Sequence, residues 1–191
     1  EALSALGTET ATGAEGFDVA VLALEPDRLP ERLPGFGTAR HHLLLVPGPS
    51  PLPSRLLVCV AVGEPGKADV RFAERFAWQL GARATLLTVL PERGADGDGV
   101  PPLPPHVERF LDACRRALGA RGVVSKVRAR RGPVVREIRA EVEEGGHDLL
   151  VVGAPLLGGA NYGSRLEGPV ERLLREPPGC PILVVRGQAP P

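Results

Sequence analysis

From Arg55 onward the chain alternates between two textures of hydrophobic and polar residues. Short apolar runs rich in β-branched residues and leucine occupy residues 56–62 (LLVCVAV), 85–90 (TLLTVL), 123–129 (VVSKVRA), 148–153 (DLLVVG) and 182–185 (ILVV), and each reads as a strand. The segments between them carry apolar positions at helical spacing. Phe72, Ala73, Phe76, Ala77 and Leu80 share one face of a first helix, and Val107, Phe110, Leu111, Cys114 and Leu118 share one face of a second. Val135, Ile138 and Val142 mark a third helix. A last, short one opens at Pro169, turns Val170, Leu173 and Leu174 inward and stops at Pro177-Pro178.

Strands that are apolar on both faces and alternate with helices imply a parallel sheet covered on both sides and joined by right-handed crossovers. The pattern therefore predicts a doubly wound α/β domain with a five-stranded parallel sheet over residues 54–188. The third strand is the exception. Ser125, Lys126, Arg128 and Arg130 make it the most polar, which places it at a sheet edge, where charge discourages pairing with other chains. The Gly- and Pro-rich segment 91–105 reads as a surface loop.

A partial repeat precedes this domain. GFDVAVLA (16–23) matches GHDLLVVG (146–153) position by position in character, and HLLLVPG (42–48) echoes PILVVRG (181–187). Residues 1–50 therefore resemble the last two strands of a degenerate second copy, and the proline-rich stretch 47–54 forms a stiff linker. The final strand, 182–185, would be an open apolar edge in an isolated domain, a hazard normally covered by a partner. Strand 42–46 is the candidate partner, from the same chain as a pseudo-dimer or from a second copy as a homodimer.

Composition narrows the function classes. Lys plus Arg equal Asp plus Glu at 23 each, so no global field draws the chain to nucleic acid. No run approaches the roughly 18 apolar residues of a membrane span, and the N-terminus lacks the pattern of a signal peptide. Cys59, Cys114 and Cys180 form an odd set without metal spacing, consistent with buried free thiols in the cytoplasm.

The runs RLLVCVAVGEP, LGARATLLTV, GHDLLVVGAPLLGG and GPVERLLREPPGCPILVV, in this order and spacing, resemble a universal stress protein domain across residues 55–186. The resemblance implies the same five-stranded fold, frequent dimerisation, and a division into members that bind ATP and members that do not. It also implies a loop for the ATP-binding kind: a glycine after the fourth strand, another three residues later, then nine residues, then Gly followed by Ser or Thr. Such glycines let backbone amides approach phosphates, and the final pair opens a helix whose N-terminal dipole attracts the anion. The first strand usually ends in an aspartate that serves the nucleoside.

This chain keeps that pattern only in part. Gly153 occupies the first glycine position and Gly168 the last, but Leu156 stands at the second, with Gly158 and Gly159 beyond it. Either the motif carries an early two-residue insertion, with Gly158 as its second glycine, or the insertion falls later and Leu156 replaces that glycine. Pro169 stands where Ser or Thr belongs, which removes a hydroxyl and an N–H at a cost of roughly 1–3 kcal/mol for a charge-assisted hydrogen bond. Ala61 stands at the aspartate position and accepts nothing through its side chain. Two or three lost contacts of about 1.4 kcal/mol each move a micromolar ligand to about millimolar. The resemblance thus points to a regulatory or ligand-sensing module with a degraded ATP loop, acting through association with another copy or with another protein. The alternative is a member that still binds ATP or AMP against Ala61, Val89, Gly153, Gly158, Gly168 and Val170. Its enlarged loop 154–167 would then substitute for lost contacts, with Arg165 on a phosphate and Tyr162 on the base.

Other constellations carry less. His147, Asp148 and Ser164 fail as a hydrolytic triad because adjacent residues entering a strand point to opposite faces. His41 and His42 lack a partner at metal-ligand spacing, and Asp96 with Asp98 reads as a solvated pair in a loop. Lys126, Arg128, Arg130 and Arg131 form a basic stripe that either keeps an exposed edge soluble or docks a small anion. No positioned base, nucleophile or metal set emerges, so no catalytic residue is expected.

Overall fold

The structure, a computed structural model, describes residues 19–23, 42–92, 102–154 and 168–186. Among the described residues there are seven strands: β1 (Val19–Ala23), β2 (His42–Val46), β3 (Arg55–Cys59), β4 (Arg83–Leu90), β5 (Ser125–Arg131), β6 (Leu149–Gly153) and β7 (Ile182–Val185). Four helices alternate with the later strands: α1 (Glu64–Leu80), α2 (Pro105–Ala120), α3 (Val134–Gly145) and α4 (Pro169–Arg175). The strands form one sheet in the order β1-β2-β7-β6-β3-β4-β5. Strands β3 to β7 are all parallel, as the alternation of strand and helix requires.

Alternation within each strand builds two cores. Leu57, Leu87, Leu150, Val152, Ile182 and Val184 face α3 and α4, where Ile138, Val142, Leu173 and Leu174 meet them. Leu56, Val58, Leu86, Leu149, Val151, Leu183 and Val185 belong to the opposite core, with Val70, Ala73 and Ala77 of α1 and Cys114 and Leu118 of α2. All four residues of β7 are buried, whereas β5 at the far edge has only half-buried and exposed positions. Of the cysteines, Cys114 and Cys180 are buried and Cys59 is partly so, all as free thiols. Among the described residues no helix is long and apolar enough to cross a membrane.

Two strand boundaries depart from the hydrophobic pattern. The strand expected over 56–62 stops at Cys59; the Val60 N–H still reaches the Leu87 carbonyl, but the chain then turns through Gly63 into α1. The strand expected over 123–129 runs instead from Ser125 to Arg131, because α2 closes through a turn at Gly122, φ 78°, that uses Val123 to seal the core. Apolarity marks burial in both cases; hydrogen-bond pairing marks the strand.

The chain direction reverses at one seam. Strand β1 runs parallel to β2, and β2 runs antiparallel to β7, with Leu43 opposite Val184 and Leu45 opposite Ile182. Residues 42–46 of the same chain thus cover the apolar edge of the last strand. The seam is pinned at one end by His42, whose Nδ1 accepts the Arg186 backbone N–H at 2.8 Å while its ring lies 4.0 Å from that of Phe72.

Candidate functional site

In a doubly wound sheet, ligands bind outside the carboxyl ends of the strands, where the connecting loops diverge. Here that rim is built from the residues after β3, the end of β4, the end of β6 and the start of α4. Ala61 lies exposed just beyond β3, and Val89 sits partly buried near the end of β4. Gly153 closes β6 opposite Val185 of β7. Gly168 caps the N-terminus of α4 with φ 74°, a left-handed conformation that favours glycine, followed by Pro169 in the first turn and half-buried Val170. Gly158 and Arg165, with Leu156, Asn161, Tyr162 and Ser164, lie outside the described residues.

Helix α1 adds two features that the motif does not flag. A Cβ on Gly66 would fall 1.9 Å from the Ala61 carbonyl oxygen, so the first turn of α1 presses directly on the backbone that carries Ala61. One turn on, Asp69 is only 5% exposed, and a Cβ on Gly153 would fall 2.1 Å from its Oδ2. Asp69 therefore fills the space that a side chain at 153 would need, and this packing alone demands glycine there. Among the described residues no hydrogen bond or ion pair reaches the carboxylate. Burial pushes its pKa up to about 7. Burial, together with the Asp69 carboxylate and Cys180, also pushes the Cys59 thiol far above its ordinary range. Asp69 has a signal in the sequence: extending the Phe72/Ala73 face back by one turn lands on position 69, where an inward-facing residue should be apolar.

The other expected constellations separate. Asp148 turns to the chain before β3, where its carboxylate accepts from the Ser54 and Arg55 N–H groups at 3.0 and 2.7 Å and from the Ser54 hydroxyl at 2.8 Å. Burial opposes its ionisation, yet these hydrogen bonds prevail and hold it below its ordinary pKa. His147 points instead toward α3, with Nε2 3.7 Å from Glu141, so the two adjacent residues form no relay. Arg130 of the basic stripe is committed to carboxylates: Glu141 at 2.8 Å, Glu137 at 3.6 Å, and Glu144. His41, Asp96 and Asp98 lie outside the described residues. Among those described, no group of three His, Cys, Asp or Glu side chains can hold a metal ion.

The fold and the placement of its rim define a doubly wound α/β domain of the kind that carries ligands at its strand tips. The model of the universal stress protein family matches residues 54–186, and the chain belongs to that family. No curated protein matches it. Among solved structures, a universal stress protein from Archaeoglobus fulgidus DSM 4304 superposes with a TM-score of 0.67 at 16% identity, covering 90% of this chain and 62% of that one. A universal stress family protein from Burkholderia pseudomallei gives 0.51 at 22% identity, covering 72% and 98%. A universal stress protein solved in complex with cAMP gives 0.57 at 20% identity, covering 71% and 98%. At these identities the likeness is one of fold.

Proposed function

We propose that this chain is a regulatory or ligand-sensing universal stress protein whose ATP loop is degraded, and that it acts through association rather than catalysis. The observation that carries this reading is Asp69. A nucleotide phosphate approaching Gly153 would meet a buried carboxylate that is half ionised near neutral pH, where related ligands need donors. The Ala61 side chain offers no acceptor to a ribose, and Pro169 offers neither hydroxyl nor N–H at the start of α4. Three separate deficits fall on one rim.

The same reading takes residues 1–50 as the remnant of a second copy, joined to the domain at 54–188 by the proline-rich linker. Supporting it, β1 and β2 repeat the parallel pairing of β6 and β7 and meet them antiparallel, as a local two-fold axis demands. The Archaeoglobus structure also matches 90% of this chain, more than residues 54–186 supply. An intrachain pseudo-dimer then takes the place of a homodimer at this edge, and a cytoplasmic setting suits the free thiols.

The cAMP complex of a relative keeps a second reading in view, in which the loop after β6 restores nucleotide binding. A gain-of-binding experiment tests the proposal. The variant Ala61→Asp/Asp69→Ala/Pro169→Ser should bind ATP at least about tenfold more tightly than the wild type, which corresponds to about 1.4 kcal/mol. Equal affinity in the two proteins would show that these positions do not limit binding.

A further inference from the structure

The opposite end of the sheet holds a second cavity. At the amino ends of β3, β4 and β5 a recess of about 190 Å³ is lined by Arg55, Arg83, Thr85, Ser125, Lys126 and His147. Among the described residues no acidic side chain lines it. The side chains of Arg55, Arg83 and Lys126 make no ion pair among the described residues, in contrast to Arg130 beside them. His147 forms the inner wall; its side chain is only 2% exposed, and among the described residues neither ring nitrogen has a hydrogen-bond partner.

Three cations without ion pairs gathered on one recess repel one another, and a buried imidazole that makes no hydrogen bond forfeits the ones it would make in water. Both defects vanish if an anion sits in the recess. Glu141 leaves its Oε1 3.7 Å from Nε2, beyond hydrogen-bond reach, and places its Oε2 on Arg130 at 2.8 Å. Drug-sized and cofactor ligands occupy roughly 300–1,000 Å³, which makes this recess too small for a nucleotide and suited to a compact oxyanion. An adjoining, more polar cavity of about 380 Å³ shares Arg55 and Lys126 and adds Glu141 and Glu144, acceptors for hydroxyl groups.

We propose that this recess is an anion site, distinct from the strand-tip rim, that binds the phosphate group of inorganic phosphate or of a small hydroxylated phosphomonoester. The guanidinium groups of Arg55 and Arg83 and the Lys126 ammonium would meet the charged oxygens, and an imidazole N–H of His147 would donate from the inner wall. This assignment makes part of the basic stripe a ligand site rather than a solubilising edge.

Calorimetric titration of the full chain at fixed ionic strength, with inorganic phosphate in one arm and glycerol 3-phosphate in the other, tests the proposal. Saturable binding at or below about 1 mM is expected in at least one arm. Arg83→Ala and Lys126→Ala should each weaken it at least about fivefold, the loss of one charge-assisted contact. Both side chains are exposed, so thermal melting of the variants should match the wild type. Carbon and nitrogen NMR shifts of the His147 ring should move on saturation. Tighter binding of glycerol 3-phosphate identifies the source as an ester, and equal binding identifies the free ion. No saturation in either arm up to about 20 mM, well above this affinity range, overturns the proposal. So does binding that is indifferent to both substitutions or that leaves the His147 ring unmoved.

Discussion

Replacing Asp69 with asparagine should change the pH dependence of stability in a defined direction. Burial raises this carboxyl from 3.8 to about 7 in the folded chain. Below the unfolded value the group is protonated in both states and contributes no difference. As pH rises through that value, the unfolded chain releases a proton that the folded chain retains, so folding loses stability until the folded group also ionises near pH 7. About three pH units at 1.36 kcal/mol each give a total loss of about 4 kcal/mol, complete above neutrality. The asparagine side chain has a similar shape and does not titrate. Urea unfolding of both proteins, followed by circular dichroism between about pH 5 and about pH 8, should show the variant gaining on the wild type as pH rises. His147 acts in the opposite sense. Burial, aided by Lys126 and Arg55, outweighs Glu141 and lowers its pKa, so its contribution is complete above the unfolded value of 6.5 and falls away as pH drops below it. Both proteins share that effect, and subtraction removes it. Parallel curves for the two proteins would refute the claim that Asp69 is buried against Gly153 with no partner among the described residues.

Gly153→Ala should cost about 1–3 kcal/mol through the clash with Asp69, and Asp69→Ala should recover most of that loss, measured as a coupling in thermal melts of the double variant. Additive losses would separate the two residues. Asp148→Ala should destabilise by about 2 kcal/mol at neutral pH, since it releases the Ser54 and Arg55 donors; the penalty should fade as pH drops through the depressed pKa of Asp148, and chemical unfolding at several acid pH values measures it. Deleting residues 1–50 removes β1 and β2 and uncovers the apolar edge of β7, so the remainder should self-associate; an unchanged monomeric mass by light scattering would contradict this.

Much of this architecture is legible in the amino-acid pattern because burial and periodicity coincide in it. The runs at 148–153 and 182–185 are apolar on both faces and become central strands, while the charges of Lys126, Arg128 and Arg130 place β5 at an edge. The likeness of 42–48 to 181–187 anticipates the pairing of β2 with β7, since an unsatisfied apolar edge attracts a strand of matching character. Boundaries are less legible. Val60 and Val123 are apolar because they seal the core, though neither belongs to a strand. The rim is less legible for a related reason: the glycine motif points to phosphates, while the fold adds a packing demand on Gly153 from Asp69, 84 positions earlier. The recess of His147 is hidden because Arg55, Arg83 and Lys126 lie on three different strands that only the sheet brings together.

The proposed loss of nucleotide binding at the strand-tip rim is open to direct measurement. Calorimetric titration of ATP, ADP and AMP into the unmodified chain at neutral pH tests it most directly. No saturation below about millimolar concentration is expected for any of the three, the affinity left after two or three contacts are lost. A dissociation constant in the low micromolar range for any one of them would contradict it and make the loop after β6 a working nucleotide site.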